Sequence, residues 1–233
     1  MIDFSLNKML PLTENKIYLY KSLFQQNELF SSIAKGIEER GYCIIPKALP
    51  ELLTIQLYKH IQQLDKNKFD KAGIGRNLDL LNNKSIRADT ICWINGESEA
   101  GYSWLSWISE LKDYLNKSLY LGLFSFESHF SHYQTGDFYK RHYDAFKGDT
   151  NRILTIVTYF NTDWNHSHGG ELKIYLDNED KDGIIVEPRL GTLVAFMSED
   201  FPHEVLTVND DRYSIAGWFR INSSLFDRVD PPH

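Results

Sequence analysis

His142 and Asp144 stand two residues apart, His203 lies far downstream, and Arg212 opens the segment that follows it. Two imidazoles and one carboxylate hold a divalent cation of the Fe(II), Zn(II) or Mn(II) type and leave coordination positions open to outside ligands. Side chains at i and i+2 of an extended chain point the same way, so one strand can offer both His142 and Asp144 to one metal. His203, in Phe201-Pro202-His203-Glu204-Val205, must return to that point after several antiparallel crossings, just ahead of an expected strand. An HxD pair alone is a common coincidence. The ordered set of HxD, a distal histidine and an arginine in the next strand points to a metal centre served by a charged co-substrate.

Arg212 begins RYSIAGWF. On a strand Arg212, Ser214, Ala216 and Trp218 share one face, and Tyr213, Ile215 and Phe219 share the other. A buried arginine is costly without an anion, and its planar fork matches a carboxylate in two-point geometry. Ser214 and Ala216 are small and leave room beside it. In RILTIVTYFN, Ile153, Thr155, Val157 and Tyr159 share a face, which places the Tyr159 phenol among apolar walls. A buried tyrosine hydroxyl seeks a partner, and the same carboxylate can be that partner. Tyr133, in HYQTGDFY, is the other candidate phenol. Three readings remain open on these residues alone. One is redox chemistry with dioxygen and an oxidisable organic acid. The second is zinc hydrolysis, which lacks an evident general base and leaves Arg212 without a purpose. The third is a non-enzymatic metal-holding β-roll that senses or presents the acid.

The elements that must position these groups lie in two halves. Residues 1–120 read as a helical and mixed support. A helix is expected over Asn27–Arg40, with apolar residues at Leu29, Phe30, Ile33, Ala34 and Ile37, ended by Gly41. A short strand follows at Tyr42–Pro46, a second helix opened by Pro50 runs to about Leu64, a strand covers Ile86–Ile94, and a third helix covers Ser103–Leu119. Residues 70–84 (DKAGIGRNLDLLNNK) read as a polar, glycine-containing loop. From 121 to 221 the pattern becomes eight short strands separated by turn signals such as Thr135-Gly136, Gly169-Gly170 and Asn209-Asp210. Strands after a helical section predict a mostly β protein with N-terminal helices: an antiparallel double-sheet jelly roll buttressed by helices. Residues 222–233 read as a tail, and the 233-residue chain reads as a single catalytic domain.

Composition sets outer bounds. The 42% hydrophobic and 14% aromatic content supports a sizeable core. The net charge of −7 argues against nucleic acid or an anionic membrane as a general partner, and no apolar run approaches a membrane span. MIDFSLNKML lacks the basic-then-apolar order of a secretory signal. Cys43 and Cys92 sit in apolar stretches and read as reduced thiols, so a cytoplasmic location is expected. His129, His132, His166 and His168 read as ordinary strand or loop histidines. The run 177–182 (DNEDKD) lacks the glycine and terminal glutamate of a calcium loop and reads as a solvated turn.

From Tyr133 to Phe219 the chain resembles the 2-oxoglutarate- and Fe(II)-dependent prolyl 4-hydroxylases, in particular the bacterial and animal oxygen-sensing (HIF-type) enzymes. The resemblance rests on Tyr133–Tyr139, Arg141-His142-Tyr143-Asp144, Arg152, Tyr159-Phe160-Asn161 with Asp163-Trp164, Gly169-Gly170-Glu171-Leu172, Pro202–Val205 and Arg212-Tyr213. Upstream, Ile86-Arg87-Ala88-Asp89 and Trp93-Ile94 also match, with Ala88 where glycine is more usual. The resemblance implies a double-stranded β-helix (cupin-like) core and iron held by His142, Asp144 and His203. It implies 2-oxoglutarate anchored by Arg212 with Tyr159, Tyr133 and Ser214, O2 as second co-substrate, and ascorbate as an accessory reductant. Succinate and CO2 would be released as a substrate carbon is hydroxylated. Retention of Asp144 argues against a related halogenase. The implied substrate is a prolyl residue in a protein, with a translation factor such as elongation factor Tu as a target class; another residue or a small molecule is the alternative. Arg152, Trp218 and Arg76 would line the substrate entrance, and residues 70–84 would be a mobile segment over it. Oligomeric state has no signature in the sequence.

Overall fold

A computed structural model describes residues 14–72, 85–145 and 151–222. Among the described residues three α-helices, α1 (Glu14–Arg40), α2 (Glu51–Gln63) and α3 (Glu99–Leu119), accompany eleven strands. These are β1 (Tyr42–Ile45), β2 (Asp70–Lys71), β3 (Thr90–Trp93), β4 (Leu123–Tyr133), β5 (Tyr139–His142), β6 (Arg152–Tyr159), β7 (Leu172–Ile174), β8 (Ile184–Val186), β9 (Leu193–Met197), β10 (His203–Val205) and β11 (Arg212–Ile221). They form a seven-stranded sheet in the order β1-β9-β6-β11-β4-β3-β2 and a four-stranded sheet in the order β5-β10-β7-β8. Neighbouring strands in both sheets run antiparallel. The architecture is the expected double-stranded β-helix with helical buttresses, and all eight strands expected after residue 121 are present.

The period-2 pattern of the long strands separates two cores. Leu154, Ile156, Ile215, Phe219 and Phe130 point outward and meet the helices through Ile33, Ile37, Leu57, Trp104, Ile108 and Leu111. Val157, Tyr159, Val194 and Phe196 of the large sheet point inward and meet Leu172, Ile174, Val186 and Val205 of the small one. The interior between the sheets is therefore the smaller core, and it shares its space with the polar site.

Several boundaries differ from expectation, each for a local reason. α1 begins at Glu14 rather than Asn27; helix formers such as Glu, Lys, Leu and Gln carry it upstream of the apolar stripe. Its end at Gly41 is as expected: Gly41 has φ +77, and its N–H bonds the Ile37 carbonyl. α3 begins at Glu99 because the Ser98 hydroxyl accepts from the Gly101 N–H, an N-cap. The strand expected over 86–94 is confined to Thr90–Trp93. Its first part turns away to the other sheet, where the Ala88 N–H meets the Phe138 carbonyl and the Lys140 N–H meets the Ile86 carbonyl. Within the expected loop 70–84, Asp70–Lys71 instead pairs with β3; residues 73–84, and the tail from 223, lie outside the described residues. Cys43 and Cys92 are free thiols, and burial pushes the Cys43 thiol up to about 11. Among the described residues no helix is long and apolar enough to cross a membrane.

Candidate metal centre and co-substrate pocket

β5 and β10 pair so that His142 faces His203 in register, and their ring centroids are 4.2 Å apart. Asp144 joins them: its Oδ1 is 3.7 Å from His142 Nε2 and its Oδ2 is 3.5 Å from His203 Nε2. One ligand atom from each residue falls within 4.8 Å of the others, and this is the only such cluster among the described residues. Asp144 is not on the strand with His142, as simple alternation predicts. β5 ends at His142, and Asp144 sits in the bend beyond it.

The two imidazoles are prepared in the same way. The Nδ1–H of His142 donates to the Lys140 carbonyl (2.8 Å), and that of His203 donates to the Phe201 carbonyl (3.1 Å). A carbonyl only accepts, so each ring carries its proton on Nδ1 and presents the Nε2 lone pair to the cluster. The Tyr139 ring stacks on His142 at 3.5 Å, with the Arg87 guanidinium 4.7 Å from the Tyr139 centroid. Phe196 meets His203 edge-on at 4.7 Å. Burial, reinforced by His142, lowers His203 to about 4, so its ring is neutral at neutral pH. Burial opposes charge on Asp144, but His203, His142 and Arg152 outweigh it and hold the carboxyl well below the usual range. A neutral His203 and an ionised Asp144 are protonation states that a divalent metal requires of such ligands.

The second part of the site lies at the start of β11. Arg212 is buried, at 3% exposure. Its Nε donates to the Gly170 carbonyl (2.7 Å), and its Nη1 donates to the Ser214 hydroxyl (3.1 Å). The Tyr133 and Tyr159 rings lie 4.8 and 5.1 Å from its Cζ. Gly170, with φ +73, allows this approach: a Cβ there would fall 2.8 Å from Arg212 Cδ. No carboxylate pairs with Arg212 among the described residues. The Tyr159 hydroxyl lies near enough to feel the Arg212 charge but makes no hydrogen bond of good geometry. Burial pushes this phenol up to about 12. A buried cation without a counter-charge and a buried hydroxyl without a hydrogen bond among the described residues are costly, and both costs fall if an anionic ligand enters between them.

β6 joins the two parts. Its inner face carries Thr155, which bonds Asp144, and Tyr159, which borders Arg212. Of the residues expected at the entrance, Arg152 and Trp218 come together: the guanidinium lies 3.8 Å from the Trp218 ring centroid and pairs with Glu127 at 2.6 Å. The buried Trp218 indole N–H has no partner among the described residues. Arg76 lies outside the described residues.

Sequence reasoning missed Thr155, Ser198, Tyr139 and His129. Thr155 and Ser198 form a buried hydroxyl pair at 2.9 Å; the readable signal was one polar residue on an otherwise apolar inner face. His129 is fully buried, not an ordinary strand histidine. It sits on the cavity face in register with Ala216, with Trp93 and Trp218 beside its ring. His132 faces the other way, stacked on Tyr213 at 4.4 Å. Run 177–182 is a turn whose Asp177 and Asp180 carboxylates accept backbone N–H groups. Arg141 closes it by donating to the Asp177 and Asp180 carbonyls.

The sequence model of the 2OG-Fe(II) oxygenase superfamily matches residues 128–220, which contain the whole site. A prolyl-4-hydroxylase from Pseudomonas putida is 34% identical, over 83% of this chain and 98% of that one, with a TM-score of 0.73. A prolyl hydroxylase from Trichoplax adhaerens, solved with a hypoxia-inducible-factor peptide fragment, is 26% identical over 86% and 92% of the two chains, with a TM-score of 0.75. The viral collagen prolyl hydroxylase of Paramecium bursaria Chlorella virus-1, at 18% identity over 79% and 98% and a TM-score of 0.54, shares the fold. The donor set, the buried cation and these likenesses converge: the chain belongs to the 2-oxoglutarate- and Fe(II)-dependent oxygenases, within their prolyl 4-hydroxylase family.

Proposed function

We propose that the protein hydroxylates a prolyl residue of a protein substrate, using Fe(II) held by His142, Asp144 and His203, with 2-oxoglutarate and O2 consumed and succinate and CO2 released. One oxygen atom enters the new hydroxyl and the other enters succinate, so the atoms balance. With iron bound, the site supplies dioxygen activation coupled to oxidative decarboxylation of the co-substrate. The chain's own residues do the rest. The Nδ1–H bonds to Lys140 and Phe201 aim His142 and His203. Arg212, fixed by Gly170 and Ser214, binds the distal carboxylate, the Tyr159 hydroxyl donates to it, and Tyr133 walls the pocket. Arg152 and Trp218 form the wall that receives the substrate.

The observation that carries this reading is Arg212, a buried guanidinium with no carboxylate partner among the described residues, on the same roll as a metal-ready triad. The Trichoplax relative holds a peptide, which supports a peptide substrate here. A cytoplasmic translation factor such as elongation factor Tu is the first target to try, with ascorbate as accessory reductant. The test is incubation of the iron-loaded protein with 2-oxoglutarate, O2 and a cell lysate or purified factor. Succinate should appear together with the mass of one added oxygen on a proline. Succinate formed with oxygen on a different residue or on a metabolite would refute the prolyl assignment while leaving the oxygenase chemistry intact.

A further inference from the structure

We propose that Thr155 is the positioning residue for the Asp144 carboxylate, and that Ser198 orients Thr155 for this task. The inference rests on the reading of His142, Asp144 and His203 as a metal site. The two histidines are aimed by carbonyls of their own strands or approaches, each two residues upstream. Among the described residues no backbone carbonyl or N–H gives Asp144 an equivalent support. It stands beyond the end of β5 in a bend, so its own backbone ladder does not fix its χ angles. The missing support comes from the opposite sheet: the Thr155 hydroxyl, in the middle of β6, donates to Asp144 Oδ2 at 2.8 Å.

The direction of the chain of hydrogen bonds follows from counting protons. An ionised carboxylate only accepts, so the single Thr155 proton is committed to Asp144. The Ser198 hydroxyl, 2.9 Å from Thr155 Oγ1, must then donate to it. Both hydroxyls are buried, so water does not compete. Ser198 is itself held directly after β9 by its N–H to the Ile153 carbonyl (3.0 Å). The order Ser198 to Thr155 to Asp144 thus ties the carboxylate to the backbones of β6 and β9. It also occupies one carboxylate oxygen, which favours ligation through the other. Partners of this kind, one step behind a ligand, typically change metal affinity by about 10- to 100-fold.

The test is titration of the metal-free protein with Co(II), followed by visible absorption, for wild type, Thr155→Val, Thr155→Ser and Ser198→Ala. Thr155→Val keeps the shape and removes the hydroxyl; it should weaken Co(II) binding about 10- to 100-fold and alter the absorption bands. Thr155→Ser should restore both. Ser198→Ala should fall between. Thr155→Val binding within about twofold of wild type with an unchanged spectrum overturns the proposal. If circular dichroism shows Thr155→Val unfolded, Ser198→Ala decides: weakened binding supports the relay and wild-type binding overturns it. A wild-type chain that binds no Co(II) overturns the metal site together with this inference, so the two failures are distinct.

Discussion

The metal end of the cavity and the Arg212 end treat their polar groups in opposite ways. At the metal end each side chain is already engaged: His142 with Lys140, His203 with Phe201, and Asp144 with Thr155. At the other end, among the described residues, a buried guanidinium has only neutral acceptors, and the Tyr159 hydroxyl has no partner. Groups that bind a small spherical ion must be aimed beforehand, because the ion selects geometry. Groups that bind a flexible dicarboxylate can wait with unspent hydrogen-bonding capacity, because the ligand brings the complementary charge. The contrast separates two kinds of failure, one of architecture and one of affinity.

The largest expected effects fall on the metal end. Asp144→Ala and His203→Ala each leave two ligands, and succinate formation should drop to the uncatalysed background. Metal content after dialysis, read by elemental analysis, should fall in parallel. A variant that keeps both metal and turnover would break the comparison at its root. At the other end the loss should be graded. Arg212→Ala removes charge-assisted hydrogen bonds of about 1.5–3 kcal/mol, so the 2-oxoglutarate concentration for half-maximal rate should rise about 10- to 100-fold. The rate at saturation should change less. Wild-type co-substrate dependence in Arg212→Ala would show that the buried cation serves structure instead.

These two ends were not equally legible in the sequence. The inward set on β11 (Arg212, Ser214, Trp218) and on β6 (Thr155, Val157, Tyr159) follows from strict alternation, because one face of each strand is committed to the helices. The eight core strands were legible for the same reason. Asp144 lies beyond its strand, since alternation gives no information on where pairing stops. The turn of residues 85–89 toward β5 was equally hidden, because a change of sheet leaves the apolar pattern intact. Thr155 stood on the correct face, but its partner Ser198 comes from a distant element, and only tertiary structure joins them. His129 could not be told from His132 by type or neighbourhood; strand parity alone sends one into the cavity wall and the other outward.

His129 offers a prediction of intermediate size on the wall between the two ends. Burial first, then the Arg87 and Arg152 charges, outweigh the Asp144 carboxylate and lower it to about 3. Its Nδ1 is 3.0 Å from the Ser131 hydroxyl. In the unfolded chain the ring has its ordinary value of about 6.5, so between pH 6.5 and 3 the unfolded state binds the extra proton. Stability contributed by the neutral ring is therefore complete above about pH 6.5 and lost as pH falls through that window. The slope for one proton is about 1.4 kcal/mol per pH unit. Asp144 acts in the same direction in acid, so the comparison must be between wild type and His129→Gln. Urea unfolding from pH 7.5 to 4.5 should show the wild type steeper by about one proton's slope. Equal slopes would mean that His129 titrates in the folded chain as it does in water.

The smallest effect is the sharpest test of the contrast, because its two signs differ. Tyr159→Phe removes a hydroxyl that has no partner among the described residues. Removing an unsatisfied buried polar group costs the protein nothing and can stabilise it. The thermal midpoint of the protein free of co-substrate should therefore stay unchanged or rise. The half-saturating 2-oxoglutarate concentration should instead increase by about 3- to 10-fold, the worth of one hydrogen bond to a ligand carboxylate whose charge Arg212 already meets. Had the hydroxyl been engaged within the fold, as Thr155 is at the metal end, the same kind of deletion would lower the midpoint as well. A fall in stability with unchanged co-substrate dependence would move Tyr159 from the ligand-waiting end of the cavity to the prearranged one.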